Sequence, residues 1–228
     1  MTFLHGLVDR LRTRARTARA AVFRHEFLVG ENTRILDIGS EDGTAIARVL
    51  AGTGIPPHNV YIADIDPARV HAGQRQFGFV PVVIPESGKL PFPDGFFDIV
   101  YCSSVIEHVT VPKKEVWTSR SGRSFRRQAE ESQEAFAREI RRLGKTYFVQ
   151  TPNKWFPIES HTWLPFIGFA PRAAQVATIA VSNRFWIKRT SPDWHLLTAR
   201  EMRTLFPDAE IRRELFLGLT KSLMAIRR

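Results

Sequence analysis

Residues 34–43 read Arg-Ile-Leu-Asp-Ile-Gly-Ser-Glu-Asp-Gly: a short apolar run with a carboxylate at its end, then two glycines four residues apart, then a helical segment, Thr44–Leu50. A strand, a glycine turn and a helix in that order commit a chain to an open parallel α/β sheet, where ligands sit beyond the carboxyl ends of the strands. A dinucleotide site presents a bare G-x-G-x-x-G, so that the helix N-terminus meets a pyrophosphate. Here Asp37 stands at the strand end, and Glu41 and Asp42 lie inside the turn. Three carboxylates repel phosphates and suit a ligand that carries positive charge.

S-adenosylmethionine fits such a turn, having an adenosine, an ammonium, a sulfonium and no phosphate. A second strand, Asn59–Asp64, also ends in an acid, 21 residues after Gly43 and at the spacing of a ribose-binding carboxylate. Pro67 opens a helix at Ala68–Phe77, a third strand spans Val80–Ile84, and a fourth, Phe96–Ser104, runs into Val105-Ile106-Glu107-His108-Val109. The D-I-G-S-E-D-G turn, the I-A-D-I-D-P segment, the L-P-F-P-D-G-F-F-D-I-V-Y run and the I-E-H-V segment together resemble a class I S-adenosylmethionine-dependent methyltransferase, of the bacterial small-molecule (type 11-like) kind, over residues 30–111. The resemblance implies that Asp37, Gly39 and Gly43, with Ser40 and Glu41, shape the methionine end of the cofactor site. It implies further that Asp64, next to Ile65, holds the ribose, that Glu86 and Ser87 lie near the adenine, and that Ser103 completes the set. Glu41 departs from the family, which often has glycine or another small residue between the two glycines. The plainer roles for these acids are a helix cap at Asp37 and a turn-former at Asp64. Phe92, Phe96, Phe97 and Cys102 are expected in the core.

At 228 residues the chain suits one α/β domain with a full core. A single cysteine gives no disulfide framework, the N-terminus lacks the apolar stretch of a secretory signal, and no run is long enough to span a membrane. The expectation is a cytoplasmic enzyme, with membrane-peripheral contact as an option. The net charge of +10 is uneven: +4 over residues 1–30, −5 over 31–111, +5 over 112–145 and +6 over 146–228. The cofactor half is acidic, as a cationic ligand prefers. The basic flanks attract polyanions or anionic membrane surfaces, or are simply a solvated arginine-rich surface.

The first 30 residues form a basic amphipathic helix, with Phe3, Leu4, Leu7, Val8, Leu11, Ala15, Ala18 and Val22 on one stripe. Packing over the active-site mouth is favoured over lying on a lipid surface. Pro112–Arg127 reads as a mobile polar excursion before a helix at Gln133–Leu143. A fifth strand, Lys145–Gln150, leads into T-P-N-K-W-F-P-I-E-S-H-T-W, a pattern similar to a subgroup of bacterial small-molecule methyltransferases. Leaving a central strand at its carboxyl end, this segment is expected to overhang the crevice. Residues 151–195 are read as a substrate lid, apolar from Trp163 to Ile187, or as a helical subdomain packed on the sheet. Asn153, Trp155, His161 and Trp163 are the acceptor-binding candidates. A helix capped at Thr198 and two strands, Ala209–Phe216 and Ser222–Arg227, close the chain. The fold expected is a Rossmann-like, doubly wound, seven-stranded sheet, mostly parallel with an antiparallel last strand.

Methyl transfer needs alignment, and an oxygen acceptor gains from a base. His161, oriented by Glu159, leads the catalytic candidates, with His108 second and His195 third. No linear spacing of Cys, His and acids marks a metal site, so none is expected. The expected acceptor is a small, partly hydrophobic molecule that is O-methylated by a monomer or homodimer. Nucleic acid is disfavoured for want of a basic–aromatic platform, yet an RNA methyltransferase and a non-catalytic cofactor-binding protein stay open as alternatives.

Overall fold

The computed structural model describes residues 2–186 and 188–228, with the side chains of residues 2–12 and all of Ile187 outside the description. A seven-stranded sheet runs in the order β3-β2-β1-β4-β5-β7-β6, as a doubly wound sheet with a closing hairpin requires. Its strands are β1 (Ile35–Ile38), β2 (Val60–Asp64), β3 (Val80–Val83), β4 (Phe97–Ser103), β5 (Gly144–Pro152), β6 (Glu210–Phe216) and β7 (Leu219–Arg227). The helices are α1 (Thr2–Glu26), α2 (Thr44–Val49), α3 (Pro67–Phe77), α4 (Gly122–Leu143), α5 (Arg172–Ser182) and α6 (Ala199–Leu205). The chain divides into two compact units: residues up to Tyr101 with Gly144–Thr146 and Arg228, and Cys102–Leu143 with Tyr147–Arg227.

In the first unit β1 pairs in parallel with β2 (Asp37↔Ile62, Ile38↔Ala63) and with β4 (Asp37↔Tyr101), and β2 pairs with β3. All four residues of β1 are buried, Asp37 among them, which is why its apolar residues do not alternate with exposed polar ones. Asp66 caps α3 through Ala68 N, Pro67 takes the first helical position and Gly78 ends the helix at φ 74°. Phe92, Phe96 and Phe97 gather around Tyr61 with ring centroids 5.1–6.1 Å from it; Phe97 is in the core as expected, whereas Phe92 and Phe96 are half-buried at its margin.

Helix α1 is docked at its C-terminal end. Phe23 is fully buried, edge-on to Tyr101 at 5.3 Å, and Arg24 donates to the Val49 carbonyl of α2. The buried face is Ala15, Ala20, Phe23 and Phe27, while Ala18 is exposed and Val22 half-buried. The expected stripe is thus rotated here, because two phenylalanines bury more area than alanine and valine; its members Phe3, Leu4, Leu7, Val8 and Leu11 lie outside the described side chains.

In the second unit β7 pairs antiparallel with both β5 and β6. Leu217 and Gly218, at φ 49° and 79°, make the tight turn between β6 and β7. The expected mobile excursion at Pro112–Arg127 is corrected: α4 already begins at Gly122, and Phe125 packs with Val111 and Val116. Two features build this early start. Phe125, Ala129, Gln133, Ala137 and Ile140 recur at helical spacing on the buried face, and Arg126–Glu130, Arg127–Glu131 and Glu134–Arg138 pair one turn apart on the exposed one. Residues 163–186 contain α5, whose Ile179 packs on Trp194 and Leu196. Helix α5 thus has one buried face, and Ile187, the expected end of the lid, lies outside the described residues. No helix among the described residues is long and apolar enough to cross a membrane.

Candidate functional site

The first unit carries the glycine turn. Gly39 N and Ser40 N both donate to the Ala63 carbonyl at 2.7 and 3.2 Å, which ties the end of β1 to the end of β2. Gly39 and Gly43 sit at φ 75° and 76°, and a Cβ on Gly43 would meet the Phe79 ring at 3.0 Å. Glycine is required at both for conformation and, at Gly43, for space.

The acids of the turn divide their work. Asp37 is 3 % exposed, and burial, reinforced by the charge of Asp64, pushes its carboxyl up to about 7. Glu41, in the left-handed region at φ 54°, pairs its carboxylate with Arg69 at 2.7 Å on the surface. Asp42 accepts from Thr44 N at 3.0 Å, which holds its carboxyl below the usual range. Asp64 is half-buried; Oδ2 accepts from Glu41 N and Oδ1 from Asp66 N, both at 3.0 Å. Each oxygen keeps a lone pair for a ligand hydroxyl. The cation-attracting character of the turn therefore reduces to Asp37 and Asp64. The buried Ser40 hydroxyl lies beside the Asp37 carboxyl and offsets part of the rise in its pKa by hydrogen bonding. Ile65 presents an exposed apolar side chain, and Glu86 and Ser87 lie on an exposed turn after β3.

One contributor has only a weak sequence signal, a glycine inside a helix. A Cβ on Gly73 of α3 would come within 2.5 Å of both the Asp42 carbonyl and Ile62. Its absence lets the helix press directly on the turn.

In the second unit, Ser103 and Ser104 both donate to Gln150 Oε1, at 2.8 and 3.1 Å. Ser104, at φ 59°, then redirects the chain into the segment that holds Glu107 and His108. Glu107 is fully buried; Oε2 accepts from Thr151 at 3.0 Å, whereas Oε1 has no hydrogen bond. His161 Nδ1 lies 2.5 Å from Glu159 Oε1, and its Nε2 lies 3.7 Å from Glu107 Oε1. Glu159 is itself fixed by the backbone N–H groups of His161 and Thr162. Burial alone would lower the histidine, but the two carboxylates win and raise it to about 9. His161 is thus held as an imidazolium near neutral pH. His108 meets His161 edge-on at 4.6 Å and offers Nδ1 to Asp193 Oδ1 at 3.2 Å. Glu107, His108 and His161 each bring a ligand-type atom within 4.8 Å of the others. The expectation of no metal rests on linear spacing, which does not register a third residue that only folding brings near.

A cavity of about 440 Å³ lies in the same unit, walled by Phe125, Trp155, Phe169 and Trp194, with Arg126, Lys154 and His195 on its lining. Trp155, 63 % exposed, stacks on Phe169 at 5.9 Å. His195 Nδ1 bonds Gln133 Oε1, and burial first, then the charge of Lys154, lowers its pKa below 6.5. Arg172 lies over the Phe125 ring at 3.6 Å, desolvated enough to lower it to about 10. Trp163 carries Lys188 over its ring at 5.2 Å. Asn153 is a structural clamp: its side chain donates to the Thr220 carbonyl and its N–H is bonded to Lys221. Gln133 and Arg172 lie in no motif, and Asp193 and Trp194 stand out in the sequence only as neighbours of His195.

Residues 36–119 match a methyltransferase domain family. A ubiquinone/menaquinone biosynthesis C-methyltransferase of Cupriavidus taiwanensis is 26 % identical over 176 residues, which is 70 % of this chain and 61 % of that protein. The chain therefore spans less than two thirds of the curated relative it matches. Among solved structures, an S-adenosylmethionine-dependent methyltransferase from Mesorhizobium loti aligns at a TM-score of 0.56, 15 % identity, over 91 % of this chain and 96 % of its own. A magnesium protoporphyrin IX methyltransferase from Synechocystis, solved with S-adenosylhomocysteine, aligns at 0.51 and 16 % identity, over 95 % and 84 %. At such identities the two structures establish likeness of fold. The domain match over residues 36–119, the strand order and the acid-ended glycine turn together liken the chain to class I methyltransferases, which use S-adenosylmethionine.

Proposed function

We propose that the chain transfers a methyl group from S-adenosylmethionine to an oxygen of a small, partly hydrophobic acceptor. In this reading residues 31–111 hold the cofactor and residues 151–195 the acceptor, within one methyltransferase domain. The observation that carries it is the make-up of the cavity: aromatic walls at Trp155, Phe169 and Trp194, cations at Arg126 and Lys154, and the uncharged imidazole of His195. Mostly apolar walls with a few placed polar groups are what a small-molecule site needs. The curated relative, by its name a C-methyltransferase of ubiquinone and menaquinone biosynthesis, agrees with a small-molecule acceptor, although its name assigns the methyl group to carbon.

When bound, the cofactor supplies a methyl carbon activated by the positive sulfur, which departs as a neutral thioether with the electron pair of the broken C–S bond. Asp37 would face the ammonium end and Asp64 the ribose hydroxyls. The residues of this chain then have to align the acceptor oxygen, exclude water and remove its proton. Alignment supplies about 7–11 kcal/mol in favourable cases. His161, already an imidazolium between Glu107 and Glu159, has no lone pair to offer near pH 7. His195 does: with Nδ1 engaged by Gln133, Nε2 is left to take the proton.

The test is incubation with methyl-labelled cofactor and a panel of hydroxylated aromatic and acidic small molecules. Label is expected on an acceptor oxygen, located by NMR. His195→Gln should lower kcat by about 10²–10⁴ while cofactor affinity holds. Label found on carbon, or on RNA, would overturn the acceptor assignment, and cofactor binding with no transfer to any acceptor would leave a binding protein.

A further inference from the structure

We infer that Glu107, His108 and His161 are the ligands of a divalent transition-metal ion of the zinc class. Three donors of two kinds converge, all within 4.8 Å of one another: the buried carboxylate oxygen Glu107 Oε1, which faces His161 Nε2, and one ring nitrogen from each of two histidines. The ion displaces the Nε2 proton of the His161 imidazolium, so binding releases a proton and strengthens as pH rises. The Glu107 Oε1 to His161 Nε2 separation is 3.7 Å. A tetrahedral ion with bonds of about 2.0–2.2 Å needs donors about 3.4 Å apart, so the Glu107–His161 pair has to close by tenths of an ångström and the other pairs, within 4.8 Å, by up to about 1.4 Å.

What separates this cluster from a chance meeting of polar groups is the layer behind it. Metal-bound histidines give their other ring nitrogen to a carboxylate, and metal-bound carboxylates are themselves hydrogen-bonded. All three ligands here have such a partner. His161 Nδ1 lies on Glu159, His108 Nδ1 on Asp193, and the second oxygen of Glu107 on Thr151. Glu159 is pinned in turn by two backbone N–H groups, and the Asp193 carbonyl is held by Thr110. Two histidines and a glutamate leave at least one coordination position open, the pattern of a catalytic rather than a structural zinc. The one-third exposed His108 side chain gives the ion a way in. Two imidazoles with a carboxylate also suit ferrous iron and cobalt. The site stands on its own geometry; a role for the ion in polarising an acceptor oxygen would rest on the function proposed above.

The experiment uses untagged full-length protein stripped with a chelator, titrated with Zn²⁺ by calorimetry and with Co²⁺ as a spectroscopic probe. One equivalent should bind, with the visible absorption of four- or five-coordinate Co²⁺. Glu107→Gln and His108→Asn should each abolish that spectrum or weaken binding by more than about 100-fold. Asp193→Asn, which alters only a positioning residue, should weaken it by about 10–100-fold. If Glu107→Gln does not fold, the part-exposed His108→Asn carries the test, with circular dichroism as the control. No Co²⁺ spectrum in the wild type, or equal affinity in the His108 and Asp193 variants, overturns the metal site. S-adenosylmethionine titrated into the same samples separates the two readings: cofactor binding without metal binding removes the metal alone. Metal binding with no methyl transfer to any oxygen acceptor removes the proposed function alone.

Discussion

At the scale of single residues, Asp37 is the group whose chemistry is most sharply set by its surroundings. Its carboxyl is raised from 3.8 to about 7 because the side chain is buried beside Asp64. A carboxyl raised on folding contributes stability in full below its unfolded pKa and loses it as pH climbs through the folded one. The cofactor-free protein should therefore melt at a lower temperature at about pH 8 than at about pH 5 on account of this residue, and Asp37→Asn should flatten that slope. Cofactor binding should run the other way, because a cationic ligand favours the ionised carboxylate; affinity is expected to rise across the same interval in calorimetry, and the Asn variant should bind weakly at both. Asp64→Ala should weaken cofactor binding by about 1–3 kcal/mol through the lost acceptor, and it also frees the Glu41 and Asp66 N–H groups. The position of both acids at the ends of apolar strands was legible in the sequence. The division of labour among Glu41, Asp42 and Asp37 was not, since it depends on Arg69 reaching across from α3 and on the Thr44 N–H.

At the scale of elements, α3 and the glycine turn behave as one piece. A methyl group on Gly73 would stand only 2.5 Å from the Asp42 carbonyl, so Gly73→Ala forces the helix or the turn to move. Overpacking of this kind costs about 1–3 kcal/mol, and the same displacement should weaken S-adenosylmethionine binding, so a denaturant melt and a titration are expected to change together. Helix α6 offers a cleaner measurement. Thr198 accepts from Glu201 N, and Glu201 returns a bond to Thr198 N, closing a capping box. Thr198→Ala should cost about 1 kcal/mol in urea unfolding and leave cofactor affinity alone. This cap was readable from Thr198 and Glu201, three residues apart. The early start of α4 was not, because its polar opening turns look like a loop until Phe125 is seen packed with Val111 and Val116.

At the scale of the whole molecule, +10 of net charge and an aromatic cavity pull the functional reading in different directions. Attraction of polyanions to arginine-rich segments is screened by salt, whereas apolar contacts in a cavity are not. Any RNA binding should fall steeply as salt is raised, while methylation of a small acceptor should persist. Trp155→Ala should raise the acceptor KM by about tenfold, equivalent to about 1.4 kcal/mol, and change stability by less than about 0.5 kcal/mol because the side chain is largely exposed. A stability loss well above that would make Trp155 part of the core instead. What the chain's sequence determined by itself is the succession of strand, glycine turn and helix, the acids at the strand ends and the closing hairpin at Gly218. These are local: they follow from side-chain periodicity and from φ values that only a few residues tolerate. What the tertiary structure alone decided is the meeting of Glu107 and His108 with His161, and the pairing of His108 with Asp193, 85 residues further on. Charged and ring nitrogen atoms converge within hydrogen-bonding reach only when burial strips away their water and packing leaves them no other partner, and no spacing along the chain records that.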